Sequence, residues 1–190
     1  YPRMSAISPT GEIQPDNFRD FDTFGLNKRA RIAKVCHLLV GAGNRVYGLF
    51  RSSALKKTTV FPRFSSPDRL LLMEIAVFGT FKQVERKLWF RRYRENESAI
   101  KLDPLEGYEE GITYKRKYLY GGEDKAPWHS HFPILGHALG LIAHLSLIPS
   151  DRNYRNMIWG PYMAYLYFRR RKYMISKEIQ IALQRRNRQS

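Results

Sequence analysis

FPILGHALGLIAHLSLIP, Phe132 to Pro149, followed after a polar break at Ser150–Asn156 by MIWGPYMAYLYF, Met157 to Phe168, is the stretch on which the architecture turns. The first run has eighteen residues without a formal charge, and the second stops against Arg169-Arg170-Arg171-Lys172. A hydrocarbon core about 30 Å thick needs roughly 20 helical residues, and an apolar run ending at cations also carries an orientation signal. The expectation is therefore one transmembrane helix over 132–149. Met157–Phe168 is a second, shorter leg that re-enters the bilayer or runs along its interface.

Within the first run, Gly136 and Gly140 stand four apart, the small-xxx-small spacing that lets two helix backbones approach closely, so both are candidate helix-packing residues. His137 and His144 are seven apart, on one face and about 10.5 Å apart along the axis, too far to share a metal. Hydrogen-bonded histidines facing a neighbouring helix are the default. Trp128, His129 and His131 just upstream suit a membrane interface, where amphipathic rings collect. Arg169, Arg170, Arg171 and Lys172 are candidate ligands for anionic lipid headgroups such as cardiolipin.

Working outward, residues 169–190 read as a basic C-terminal helix and residues 1–26 as an extended acidic arm. The arm carries Pro2, Pro9 and Pro15 and is net −2, against +18 for the remainder. It lacks a core of its own and should lie along a basic partner or along its own body. The chain starts at Tyr1 and not at Met, which a removed organellar presequence or a truncation would explain equally well.

Residues 27–100 read as a helical region with two long helices. The first, within Asn27–Lys57, follows Ile32, Val35, Leu38 or Leu39, Val46, Leu49 and Phe50 at helical steps, weakened by Gly41, Gly43 and Gly48. GAGNRVYG lacks the Lys-Ser/Thr pair of a nucleotide loop, so those glycines read as close packing or a kink. Cys36 and His37 are adjacent, which splays their side chains about 100° apart on a helix and argues against a nucleophile pair.

Ser66-Pro67-Asp68 supplies an N-cap, a first-turn proline and a first-turn acid, so the second helix should start there. With no breaker recognised, it is expected to run to Glu97, about 45 Å. Its first half, Leu70–Phe81, is apolar except at Glu74, which should find the surface or an arginine. Residues 101–127 form an irregular aromatic-basic linker containing YKRKYLY, a run suited to RNA or to a headgroup plane.

The fold class expected is thus all-α, with an extended arm, long amphipathic helices, one or two short transmembrane helices and no independent compact enzyme domain. Thirty-three Lys and Arg against 17 acids give a net charge of +16 and imply a polyanionic neighbour. The lone Cys36 rules out an internal disulfide, and no catalytic, cofactor or metal motif is present.

Functionally, the chain reads as a non-catalytic accessory subunit of a mitochondrial inner-membrane energy-converting complex, in the respiratory chain or the ATP synthase membrane region. Its partners would be neighbouring subunits and cardiolipin, and its basic tail would face the matrix. The alternative is an organellar ribosomal protein that binds rRNA through basic helices and tails. The charge-free 132–149 run favours the membrane; a mean hydropathy of −0.48 weighs against it.

Overall fold

A computed structural model describes residues 1–14, 21–38, 43–62, 66–92, 117, 120–122, 125–127, 132–147 and 158–189. Among them are strand β1 (Pro2–Ile7), helices α1 (Lys28–Leu38), α2 (Ser52–Leu55) and α3 (Pro67–Phe78), strand β2 (Val84–Arg92), and helices α4 (Pro133–Leu147) and α5 (Trp159–Gln189). A 3-10 turn over Gly43–Val46 lies between α1 and α2. Among the described residues the architecture is mixed α/β, with these five helices and a two-stranded parallel sheet, and so departs from the all-α expectation.

The core is built around α3. Leu70 to Val77 are buried without exception, and Phe21, Ile32, Val35, Leu141, Met163 and Ile175 from the surrounding segments join the same apolar cluster. Pro67 starts α3 as expected, since its missing N–H costs nothing in a first turn. Ser66 does not cap through its hydroxyl. It sits at φ 60°, and its carbonyl accepts from the Arg69 and Leu70 amides. The other end is closed from α1, where Arg31, itself buried, donates to the carbonyls of Ala76 at 2.7 Å and Val77 at 3.4 Å. A cation there meets the negative end of the helix dipole.

The helix expected to reach Glu97 ends at Phe78. Gly79 donates to Ile75 O at 2.8 Å and then leaves in extended backbone, and from Val84 the chain is a strand. The reason is non-local. β1 lies parallel to β2 with Met4 opposite Trp89, Ser5 opposite Phe90 and Ala6 opposite Arg91, so Pro2–Ile7 of the acidic arm are laid along the chain's own body. A parallel pair needs a long crossover, and α1 to α3 supply it. The helix expected over 27–57 is likewise broken into α1, the 3-10 turn and α2.

No helix among the described residues is long and apolar enough to cross a membrane, which overturns the transmembrane reading of 132–149. α4 has 15 residues, about 22 Å, and falls short of the hydrocarbon core. Its apolar residues have found protein instead: Ile134, His137, Ala138 and Leu141 are buried, and α4 packs along α5. The expected second leg is the start of α5, a 31-residue helix that carries Gly160-Pro161 in its first turn and runs unbroken through Arg169–Lys172. Those mid-helix cations exclude α5 as a span.

Glu178 of α5 joins the two helices. It is 2% exposed, and its two carboxylate oxygens accept from the amides of Ile134 and Leu135, each at 3.0 Å. These are orphan donors of the first turn of α4, so a carboxylate from the neighbouring helix caps it.

Candidate nucleic-acid interface

Between the segment 45–57 and the end of α3 lies an open groove of about 840 Å³. Its cations are Arg31, Arg45, Arg51, Lys57 and Lys82, and none of the described residues that line it is acidic. Phe24, Phe50, Phe78 and Phe81 supply rings. The close approach of Tyr1 to Gly48 shapes one edge, where a Cβ on Gly48 would stand 2.9 Å from that of Tyr1.

The floor of the groove is fixed by cross-links between two segments distant in sequence. Thr23 N donates to Phe81 O at 2.9 Å, and Thr23 Oγ1 accepts from the Phe81 amide at 2.7 Å. Gln83 Oε1 accepts from the Phe21 amide at 2.8 Å and from the Tyr1 hydroxyl. Asp22 accepts from the amides of Phe24 and Gln83 and pairs with Lys82 at 3.5 Å. These bonds, although they oppose the cost of burial, hold its carboxyl below the usual range. Arg45 lies 4.5 Å over the Phe21 ring, and burial lowers the pKa of its guanidinium.

Strand β2 continues from this groove, with Val84 in the lining of both. Eight of its nine residues are exposed and Trp89 is half-buried. Along the strand Arg86, Lys87, Arg91 and Arg92 interleave with Leu88, Trp89 and Phe90. Tyr47, from the end of the 3-10 turn, stacks on Trp89 with ring centroids 4.5 Å apart at 46°. Cations supply phosphate contacts and ring faces accept stacked bases, which is the equipment of a single-strand nucleic-acid surface.

The candidate residues read from the sequence are dispersed. Arg169 and Lys172 are exposed on α5; Arg170 bonds His37 of α1, and Arg171 is half-buried 5.9 Å over the Tyr167 ring. Gly136 and Gly140 are both buried on α4. His137 is buried with its ring 4.8 Å from that of Tyr167. His144 is half-buried, and burial lowers its pKa. Trp128, His129, His131 and most of YKRKYLY lie outside the described residues.

Glu74 does not reach the surface, and among the described residues its partner is Thr59, not an arginine. It is fully buried, with Oε2 accepting from the Thr59 amide at 3.0 Å and Oε1 from the Thr59 hydroxyl at 2.8 Å. Burial raises its pKa to about 7 against those bonds. Cys36 is buried and its thiol pushed up to about 12, which makes it a poor nucleophile. Among the described residues no three His, Cys, Asp or Glu side chains gather to hold a metal.

Sequence reasoning missed the groove, the Tyr47–Trp89 pair and the Glu178 cap. The one available signal was the block Leu88-Trp89-Phe90 between Arg86-Lys87 and Arg91-Arg92, whose aromatic residues favour a strand although the stretch has no two-residue period. No family model, curated protein or solved structure matches this chain, so its own residues carry the functional argument.

Proposed function

We propose that this protein is a non-catalytic RNA-binding component of a large ribonucleoprotein particle, of the organellar ribosomal kind, which grips single-stranded RNA along the groove and strand β2. The observation that carries this reading is the groove lining, which among the described residues has five cations, no acid and four phenylalanine rings. A polyanion with flat apolar faces matches both halves of that surface. The membrane-complex reading drew its weight from a helix crossing the bilayer at 132–149. With that segment packed as α4 on α5, the ribosomal alternative has the better support.

The test is fluorescence anisotropy of a short labelled single-stranded RNA with the full chain. Arg51→Gln with Lys57→Gln should weaken binding about tenfold, because two phosphate contacts are lost. Trp89→Ala should cost about tenfold more, since one base stacked on a ring contributes roughly 1–3 kcal/mol. Binding confined to anionic vesicles, with none to RNA at physiological salt, would overturn the proposal.

A further inference from the structure

Away from the groove, α1, α3 and α5 meet at a small notch lined by Cys36, Arg69, Met73, His137, Tyr167, Arg170 and Arg171. Three guanidiniums from two helices converge there. Among the described residues, none of the three forms an ion pair with a carboxylate. Their contacts include Arg170 to His37, Arg171 over Tyr167 and to the Met174 sulfur at 3.1 Å, and Arg69 to the Tyr167 hydroxyl.

The charges also oppose one another. Burial lowers the pKa of Arg171 first; Tyr167 opposes that, and the proximity of Arg69 and then Arg170 lowers it further. Packing three like charges around one tyrosine costs stability unless an anion completes the cluster. The guanidinium fork matches the geometry of phosphate oxygens, and the enclosed room of about 10 Å³ holds no more than a water. An organic ligand is therefore excluded from the interior, and a small oxyanion would sit at the mouth, where Arg170 is exposed.

We infer that this notch is an oxyanion site which takes a phosphate group on Arg69, Arg170 and Arg171. It goes beyond the groove and strand β2 and shares no residue with them. The phosphate has two sources, a phosphodiester of bound RNA or a free phosphate or phosphomonoester.

The experiment measures thermal unfolding of the full chain in chloride and in inorganic phosphate at matched ionic strength. At phosphate about tenfold above its dissociation constant, the parent should gain about 3 °C. Arg69→Gln with Arg171→Gln should abolish that gain, while its melting temperature in chloride equals or exceeds the parent's because the repulsion is relieved. Lys172→Gln, an exposed neighbour, should keep the full gain. Arg171→Lys keeps the charge without the fork and should weaken phosphate about tenfold.

An undiminished gain in the double variant would overturn the inference. So would a fall in its chloride melting temperature, which would mark the arginines as structural. Displacement of phosphate by RNA assigns the phosphodiester source; phosphate retained beneath bound RNA assigns the free one. The Arg51→Gln, Lys57→Gln variant should lose RNA and keep phosphate, so the two proposals fail separately.

Discussion

Glu74 is a carboxyl among eight consecutive buried residues of α3, held among the described residues by Thr59. The next residue, Val60, sits at φ 58°, a left-handed backbone that a β-branched side chain rarely adopts. The two bonds from Glu74 hold Thr59 beside that strained position, so a side chain in the core restrains the backbone of a surface loop. Its pKa, raised to about 7 from an ordinary 4.5, means that the folded chain binds more protons than the unfolded one between those values. The associated stability is therefore full below the ordinary value and is lost as pH rises towards 7. Glu74→Gln keeps one acceptor oxygen for the Thr59 amide, offers its NH2 to the Thr59 hydroxyl as acceptor, and cannot ionise. Chemical denaturation from about pH 5 to about pH 8 should show the parent losing on the order of 3 kcal/mol that the variant keeps. Parallel pH profiles would remove Glu74 as the cause. The sequence marked this residue as unusual because it is charged inside an apolar run; its partner, fifteen positions upstream in a loop, left no periodic trace.

At the scale of elements, α4 and α5 form a hairpin whose register depends on Glu178. Replacing it with Ala leaves the Ile134 and Leu135 amides without their acceptor at a site where water has little access. The expected cost is about 2–3 kcal/mol, read as a lower urea midpoint with the slope unchanged, and Glu178→Gln should recover about half because it keeps one acceptor oxygen. A midpoint unmoved by Glu178→Ala would show that the cap carries no weight. The start of α3 was legible, because Pro67 and Asp68 act within one turn of their own position. The end of α3 and the identity of β2 were not. Val84, Leu88 and Trp89 satisfy a helical spacing as well as a strand, and the choice was made by β1, which offers its backbone more than eighty residues away in sequence.

Across the whole molecule, a net charge of +16 would give strong salt dependence if it acted diffusely. The groove and β2 together present six exposed cations besides Lys82, which pairs with Asp22. Each phosphate contact on a single strand contributes about −0.7 to the slope of log K against log salt, so RNA binding should show a slope of about −4. A slope near −11 would mean that the surface as a whole, and not this face, binds RNA. What the sequence determined by itself is the net charge, the buried character of Leu70–Val77, and the apolarity of 132–149. What only the tertiary structure decided is where that apolarity goes. Hydropathy measures how strongly a segment leaves water and is silent on whether lipid or another helix receives it. α4 left water for α5, and the same long-range contacts, β1 on β2 and residues 21–24 on 81–83, opened the cationic groove.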